Sequence, residues 1–568
     1  MAFLIFDNFR KCHLSYINVV VKSYISGISK SIPLFHNFFF MRKCLLLFTV
    51  ILFIISCKKS DKSSVAPPNG LPKVQTNEIS DFTYYSVKLS GQLLDSAGSA
   101  IKETGIVIDT ISTPTISKNL DKFVLEKSKD GSFRLTVIGL LLNTTVYVRA
   151  YATNANGTGY GAQIKFTTQK GKIFHGQVYL DNQQQVNDFG ANHYTTIDGD
   201  IEISGPVTDL TPLLGIKVIN NGLVITRTSI TNFSGLDSLE EIGAVFPNDF
   251  WVEGNSNLIN FHGLSKLRES RGDVQFDNNN SLINLDGLDS YFAASAGMLR
   301  IGECAKLQNL NGLKRLSFVG DNLYIIDNPV LTDITGLSNV SQVYGTLYVV
   351  NNASLTNLNG LEAIQTLPSG VDIRENPVLR DISGLRNLSV IGGDDGYGIG
   401  SITVVNNPAL TDISAFGKVT SVDYVTISNN NQLKNLQGLK SLQTITQQLD
   451  IEGNAILSDL SGLEKVASAS RIQIVNNPLL ASIIGLTGLT KISGNPYSLS
   501  ISGNNVLVSL SGLENLAHAD GSIDINSNPK LTEFCGLKNL FTKGYSASFT
   551  AEGNADNPTQ QDVITNCP

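Results

Sequence analysis

The sequence is poor in the residues from which most catalytic and metal sites are built. Its 568 residues include six histidines, six cysteines and one tryptophan. Four histidines lie after residue 57, and none has a partner at the spacing that metal ligands require. The G-x-S-x-G, phosphate-loop and H-E-x-x-H motifs are also missing. We therefore predict no catalytic residue, no metal site and no cofactor.

Charge is scarce as well. Charged residues make up 16 % of the chain, the formal net charge is −7, and no stripe of lysine and arginine is visible. Because nucleic-acid binding requires clustered cations that neutralise phosphates, we predict no nucleic-acid partner. Heptads are absent, whereas glycine and asparagine are plentiful. This composition favours a β-rich extracellular protein over a cytoplasmic enzyme.

One apolar run near the N-terminus indicates export. Met41-Arg42-Lys43 precedes the apolar residues 44–55. A basic start, about a dozen apolar residues and a small residue at the cut are typical of a signal peptide, and the run is short for a bilayer span. Ile54-Ile55-Ser56-Cys57 resembles the lipobox of bacterial lipoproteins. The resemblance implies lipid attachment at Cys57 and a location in the outer membrane, at the cell surface.

Three features surround this leader, residues 41–57. Residues 1–40 show no clear pattern, and we interpret Met41 as the true start of the chain. The alternative reading of Cys57 is an incidental cysteine behind a plain signal peptide. Residues 58–72 are polar and contain Pro67-Pro68, which predicts a flexible linker.

Short alternating runs predict a small β-sandwich over residues 73–170. The clearest run is Val146-Tyr-Val-Arg-Ala-Tyr-Ala152, and Asp130-Gly131 and Asn156-Gly157 supply turn signals. About 100 residues of this kind suit a sandwich. The stretch from 139 to 161 resembles the fibronectin type III-like modules of bacterial surface proteins, which implies a spacer.

A repeat of about 24 residues fills the rest of the chain. Its frame is apolar-x-apolar-x-x-Asn-x-x-Leu-x-x-apolar-x-Gly-Leu, as in 323–337 and 347–361. A period of this length predicts a solenoid in which each coil buries its apolar face against its neighbours. We expect the asparagine to satisfy backbone groups of its own coil and of the next one. This slot is filled by Asn255, Asn279, Cys304, Asn328, Asn352, Asn376, Asn407, Asn430, Asn454, Asn477, Asn504 and Asn528.

The variant coils define the extent of the array. Cys304 stands in the asparagine slot, so we predict a buried, reduced, structural residue. Thr228 fills the slot further upstream, which places the start near residue 197. Residues 197–556 resemble the leucine-rich-repeat-like, right-handed β-solenoid of receptor L domains, and above all bacterial surface lipoproteins with such arrays. The implied fold is mainly β, with a connector and N-terminal cap at 171–196 and the solenoid with its C-terminal cap at 197–568.

The end of the array contains two cysteines, Cys535 and Cys567. In an exported protein such a pair favours a disulfide, and we predict one that pins the last coil.

The register predicts which strand side chains face solvent, namely those two and four positions before each asparagine slot. Coils stack about 4.8 Å apart, so these side chains form columns along the array. In mid-array the columns are aromatic and apolar, which is typical of an interaction site. The alternative is that such residues simply suit strands. The candidate binding patch, here the outward patch, comprises Trp251, Arg300, Tyr324, Ile326, Tyr348 and Val350.

Two coils are enlarged. Asn376 and Asn407 are 31 residues apart, and Asn477 and Asn504 are 27 apart. Insertions in a solenoid map to loops, which often bind ligands. Our candidate loop contacts are Asp394, Asp395, Tyr397 and Tyr497.

Together these patterns predict a non-catalytic, lipid-anchored surface protein that binds or adheres to an extracellular protein or glycan. One alternative is a solenoid enzyme that acts on polysaccharide, which requires carboxylates stacked on adjacent coils. Asp450 and Glu452 are acidic, but the flanking strands carry no charged neighbour at the outward positions. The other alternative is a structural component of the cell surface.

Overall fold

The computed structural model describes residues 70–80, 86–138, 140, 143–168, 170–244, 249–392 and 399–567. The leader with Cys57, residues 58–69 of the linker, and the loop residues Asp394, Asp395 and Tyr397 lie outside the described residues. The chain is mainly β, with a parallel β-solenoid from residue 173 onward preceded by small antiparallel sheets. This architecture confirms the predicted fold class.

In the described part of the chain, eight antiparallel strands precede the solenoid. They are β1 (Lys73–Thr76), β2 (Ser86–Asp95), β3 (Glu103–Asp109), β4 (Asp121–Val124), β5 (Ser132–Ile138), β6 (Thr145–Asn154), β7 (Gly157–Tyr160) and β8 (Ile164–Thr167). One sheet has the order β1-β2-β5, and the other has the order β4-β3-β6-β7 with β8 also paired to β6. Alternate side chains, such as those of Val87, Ile106, Phe133 and Val148, are buried in one core. Alternation between inward apolar and outward polar residues therefore builds this unit.

Each turn of the solenoid contributes one strand to a long parallel sheet, and there are about 15 turns. The strands of this sheet are β10 (Val178–Leu180), β12 (Ile201–Ser204), β14 (Leu223–Thr226), β16 (Phe250–Glu253), β18 (Val274–Asp277), β20 (Leu299–Gly302), β22 (Leu323–Ile326), β24 (Thr346–Val350), β26 (Gly370–Arg374), β28 (Ser401–Val405), β29 (Ser421–Ser428), β30 (Thr444–Glu452), β32 (Arg471–Val475), β34 (Tyr497–Ser502), β36 (Ser522–Asn526) and β37 (Phe549–Glu552).

A second side of each turn forms shorter parallel strands. They are β9 (Ile173–His175), β11 (Thr196–Asp198), β13 (Val218–Ile219), β15 (Glu241–Ile242), β17 (Glu269–Ser270), β19 (Ala293–Ala294), β21 (Phe318–Val319), β23 (Gln342–Val343), β25 (Thr366–Leu367), β27 (Val390–Ile391), β31 (Ser468–Ala469), β33 (Lys491–Ile492) and β35 (His518–Ala519). The strands from β9 to β23 form one eight-stranded sheet, here the second sheet, and β25 pairs with β27. The strands β31, β33 and β35 join the long sheet instead, because β30 extends to this side and pairs with β31.

The third side is closed by short helical turns. The 3-10 helices span Thr211–Leu213, Asn311–Leu313, Thr335–Leu337, Ser383–Leu385, Ser414–Phe416, Gln437–Leu439, Ile484–Leu486 and Cys535–Leu537. The Gly-Leu pair of the repeat lies here. A Cβ on Gly336 would stand 1.8 Å from the carbonyl oxygen of Leu310 in the preceding coil, so this close approach requires glycine. The leucine of the pair, Leu337, is fully buried.

Parallel pairing begins earlier than the repeat pattern indicates. The repeat places the start near residue 197, whereas Ile173–His175 already pairs with β11 and Val178–Leu180 with β12. In this first turn an α-helix, α1 (Gln183–Gly190), replaces the Asn-x-x-Leu corner. Asn182 caps that helix by accepting a hydrogen bond from the backbone N–H of Gln185. The expected connector thus contains a turn of the solenoid that lacks the repeat signature.

The buried asparagines form a continuous hydrogen-bonded ladder along the solenoid. In a typical rung, the Oδ1 of Asn376 accepts from the backbone N–H of Asn352 at 3.0 Å. The Nδ2 of Asn352 donates to the carbonyl oxygens of Ile325 in the preceding coil at 2.8 Å and of Val350 in its own coil at 3.1 Å. Each asparagine therefore hydrogen-bonds to backbone groups in two adjacent coils.

The ladder has the members that the repeat pattern predicts and continues beyond them. At its start, Asn255 Oδ1 accepts from the backbone and hydroxyl of Thr228. At its end, Asn528 N–H donates to Asn554 Oδ1, and Asn554 N–H donates to Asn557 Oδ1, both at 3.0 Å. Asn554 was missed because its coil carries only a weakly apolar strand, Phe549–Glu552, before the slot.

The residue before each asparagine slot has a left-handed backbone. Examples are Asn278, Asp327 and Asn406, with φ between 55° and 56°, whereas Gly453 and Gly503 occupy the same position in other coils. Asn, Asp and Gly tolerate this conformation best, which explains their recurrence there. The turn therefore depends on two adjacent residues, one for backbone conformation and one for hydrogen bonding.

Cys304 fits the ladder as a weak substitute for asparagine. Its backbone N–H donates to Asn328 Oδ1 at 3.2 Å, and its thiol lies 3.7 Å from the carbonyl oxygen of Phe276. The sulfur also accepts from the backbone of Asn279. Burial raises the pKa of this thiol to about 12, so it stays protonated. Cys304 is buried and free of any disulfide.

A disulfide and two helices close the C-terminal end. Cys535 and Cys567 form a disulfide and are 32 positions apart in sequence. The helices are α2 (Lys538–Thr542) and α3 (Gln560–Asn566), and Thr559 and Asp562 form a capping box at the start of α3. The bond links the last helical turn to the chain terminus and constrains the unfolded chain, which stabilises the cap by roughly 3 kcal/mol.

The ladder predicts a large effect of Asn352→Ala on stability. The substitution leaves the buried N–H of Asn328 without its acceptor and removes one hydrogen bond each from the carbonyls of Ile325 and Val350, which should cost roughly 3 kcal/mol. Urea denaturation followed by circular dichroism measures the loss. The control is Asn359→Ala in the same coil, an exposed residue that should change stability by at most about 0.5 kcal/mol. Equal, small effects of both substitutions would contradict this role of the ladder.

Candidate functional site

The outward patch lies on the long sheet. Arg300 is opposite Tyr324, and Tyr324 is opposite Tyr348, in adjacent parallel strands. The same register brings Ile326 beside Val350. All six residues of the patch are half-buried. Parallel pairing therefore places side chains that are about 24 residues apart in sequence next to one another.

Two tyrosines form the centre of the patch. The rings of Tyr324 and Tyr348 are stacked, with centroids 4.5 Å apart and an interplanar angle of 4°. Because neighbouring strands run side by side at nearly this spacing, the ring faces cover each other, and the edges and hydroxyls point away from the sheet. Burial and the adjacent Tyr348 raise the pKa of Tyr324, so its hydroxyl remains a hydrogen-bond donor.

An ion pair borders each side of the tyrosines. On one side, the Nε of Arg300 donates to Asp277, and its guanidinium also contacts Glu303 at 3.0 Å. On the other side, Arg374 pairs with Asp372, and this interaction raises the pKa of Arg374. The sequence predicts where these residues lie along the columns but not that they pair. An acidic and a basic residue at neighbouring outward positions are the sequence signal that could have identified these ion pairs.

Asp277 is unusual because it is an ionisable residue that is almost fully buried, with 4 % of its surface exposed. Its Oδ2 accepts from Arg300 and from the Nε2 of Gln275, whereas its Oδ1 has no hydrogen-bond partner among the described residues. Gly302 lies alongside, and a Cβ there would approach that Oδ1 to 2.7 Å. Burial raises the pKa of Asp277 despite the opposing effect of Arg300.

The remaining candidate residues are dispersed. Trp251 lies two strands from Arg300 along the same column, and its buried Nε1 has no hydrogen-bond partner in the described part of the chain. Tyr497, in the second enlarged coil, is 58 % exposed, and the guanidinium of Arg471 lies 5.7 Å from its ring centroid. The ladder residues point into the core and are structural. The structure thus brings Arg300, both tyrosines, Ile326 and Val350 together, with Trp251 and Tyr497 apart.

The carboxyl group of Asp450, which the enzyme alternative would require, is hydrogen-bonded to neighbouring amide side chains. Its Oδ2 accepts from the Nε2 of Gln448 at 2.7 Å, and burial raises its pKa. Gln473 on the next strand also donates to it at 3.0 Å when its amide is oriented to satisfy both groups. These contacts hold the carboxyl group in an amide network.

Comparison of the chain with protein-family models, curated proteins and solved structures gave no match. Within the described residues, no helix has the length and apolar character needed to cross a membrane.

The raised pKa of Asp277 predicts a pH-dependent contribution to stability. A carboxyl group with a folded-state pKa above its ordinary value of 3.8 stabilises the fold when protonated, and this contribution is lost as pH rises through the folded-state pKa. The free energy of unfolding of the native protein minus that of Asp277→Asn should therefore be larger at pH 4 than at pH 7. Urea denaturation of both proteins at the two pH values measures this difference. A difference of opposite sign would show that the ion pair with Arg300 outweighs burial.

Proposed function

We propose that this protein is a lipid-anchored, non-catalytic surface protein whose solenoid binds an extracellular protein or glycan through the outward patch. The observation that carries the proposal is the stacked pair of Tyr324 and Tyr348 between two arginine-containing ion pairs. Tyrosine and arginine are common anchors of recognition surfaces. The tyrosines are also held rigidly by one another, so binding costs little side-chain entropy.

The geometry of the patch favours a protein over a glycan as its ligand. Sugars usually bind aromatic side chains through the face of the ring. In this patch the facing surfaces of the two tyrosines are occupied by each other. Their edges and hydroxyls, the half-buried Ile326 and Val350, and the charges of Arg300 and Arg374 instead suit the mixed polar and apolar surface of a protein.

The anchor and the spacer rest on the sequence. The basic start, the apolar run and the tetrapeptide ending at Cys57 support lipid attachment and surface display in the outer membrane. The antiparallel strands from Lys73 to Thr167 are compatible with the fibronectin type III-like spacer that the sequence resembles. We propose that this unit separates the solenoid from the membrane.

Substitution of the two tyrosines tests the binding surface. The full-length protein in detergent is screened against panels of extracellular proteins and glycans by biolayer interferometry. For a ligand so found, Tyr324→Ala combined with Tyr348→Ala should weaken binding at least about tenfold, because two anchor residues are lost. The matched control is Tyr179→Ala, an exposed tyrosine at the outward position of β10 in the same sheet.

The outcomes separate the alternatives. Loss of binding in the double variant but not in Tyr179→Ala supports the outward patch. Loss in Tyr497→Ala instead would move the site to the enlarged coil. The absence of any ligand would favour a structural surface component, and turnover of a polysaccharide would favour the enzyme.

Mass spectrometry of the N-terminal peptide tests the anchor. We expect acyl chains on Cys57 and no residue before it, since the lipobox implies cleavage at that cysteine. Cys57→Ser should release the protein from the membrane fraction. An unmodified Cys57 in the mature protein would leave a plain signal peptide as the correct interpretation.

A further inference from the structure

An open groove beside the second sheet is formed by residues outside the outward patch. It has a volume of about 580 Å³ and is lined by Glu240, Lys266, Arg268, Ser290, Phe292 and Arg315. Glu240, Arg268 and Phe292 immediately precede β15, β17 and β19, respectively. This size accommodates a small ligand or a short segment of a polymer.

Coil stacking fixes the order of the lining residues. The backbone N–H of Arg268 donates to the carbonyl of Glu240 at 3.0 Å, and that of Phe292 donates to the carbonyl of Arg268 at 2.9 Å. The series continues with Ser317, whose backbone N–H donates to the carbonyl of Phe292 at 3.0 Å. Lys266, Ser290 and Arg315 stand two positions earlier in three successive coils. Since coils stack about 4.8 Å apart, Lys266 and Arg315 are roughly 10 Å apart along the array, with the small Ser290 between them.

Two of the cations in the groove lack a partner. Arg268 pairs with Glu240 at 3.1 Å and with Glu241 at 3.4 Å. By contrast, Lys266 and Arg315 make no hydrogen bond or ion pair with any other part of the described chain. Both side chains are long enough to reach one anion above Ser290. The groove therefore offers two unpaired positive charges in a chain with a net charge of −7.

The other lining residues narrow the class of anion. Phe292 is 43 % exposed, and no aromatic pair among the described residues covers its ring. It thus presents an apolar platform beside the cations. Ser290 supplies a hydroxyl, and the carboxylate of Glu240 accepts hydrogen bonds from hydroxyl donors. A sugar with a carboxylate or sulfate has all the matching features, whereas an acidic peptide lacks hydroxyls arranged around an apolar ring face.

We propose that this groove binds an acidic saccharide, with the anionic group between Lys266 and Arg315 and the sugar ring against Phe292. The site uses the second sheet and requires nothing of the outward patch on the long sheet. It adds a glycan-binding function to the protein recognition proposed for that patch.

Binding of defined saccharides tests the proposal. The full-length protein in detergent is titrated with oligogalacturonate, a heparin-derived oligosaccharide, a neutral cello-oligosaccharide and poly-glutamate. We expect binding of at least one acidic saccharide, weakened by added salt, and weaker or undetectable binding of the neutral sugar and the peptide. The first two probes show whether the preferred anion is a carboxylate or a sulfate.

Variants locate the site. Lys266→Gln combined with Arg315→Gln should weaken saccharide binding at least about tenfold, because charge-assisted hydrogen bonds are lost. Phe292→Ala should also weaken saccharide binding, because the sugar ring loses its apolar platform. The matched control is Lys465→Gln, because Lys465 is an exposed cation at the equivalent position of another coil. It stands two residues before Ala467, whose backbone N–H donates to the carbonyl of Gln443 as that of Arg268 does to the carbonyl of Glu240. The tyrosine double variant should bind acidic saccharide normally.

Three results would overturn the proposal. One is no binding of either acidic saccharide, and another is equal loss of affinity in Lys465→Gln. The third is stronger binding of poly-glutamate, which would assign the groove to an acidic peptide. Because the variants alter surface residues, circular dichroism spectra and urea midpoints should match the native protein, and an unchanged fold makes each result decisive.

Discussion

Buried asparagine side chains hold the coils of this solenoid together. At each corner between the long sheet and the following side, the chain leaves its strand, and the backbone N–H of the slot residue pairs with the next asparagine side chain instead of with a strand. Asparagine has one acceptor and two donor hydrogens on a short side chain, so it can satisfy an N–H in one coil and carbonyls in two. Unpaired backbone groups at these buried corners would each cost about 1–3 kcal/mol, and the array contains a dozen such corners.

This requirement also explains the residues that depart from the pattern. Cys304 provides only a weak donor and a weak acceptor, yet it keeps the contacts with Phe276 and Asn279. In the first turn, helix α1 uses hydrogen bonds of its own and dispenses with the ladder. At the other end, Asn554 and Asn557 continue the ladder into the cap. Corners can therefore vary in sequence as long as their backbone groups are paired.

Because the interior is fixed by the ladder and the leucines, the outward positions are free to differ from coil to coil. Parallel stacking then converts residues that are distant in sequence into neighbours about 4.8 Å apart. The long sheet acquires stacked tyrosines between ion pairs in this way. The second sheet acquires Lys266 and Arg315, which have no ion-pair partner in the described part of the chain, beside the exposed Phe292. The two faces therefore carry different side chains while the core remains the same, which is the basis of the two binding sites that we propose.

The repeat alone determined the solenoid, the inward and outward positions and the membership of most of the ladder, because a period of about 24 residues with two apolar strand positions has few other folded solutions. It also placed Tyr324 beside Tyr348. The tertiary structure alone decided that their faces stack, that Asp277 is buried against Arg300, and that Lys266 and Arg315 have no ion-pair partner among the described residues. These properties depend on side-chain rotamers and on the exact approach of neighbouring coils, which a pattern of residue types does not encode. The first turn at Ile173 was likewise decided by the structure, because helix α1 replaces the Asn-x-x-Leu signature of the later corners.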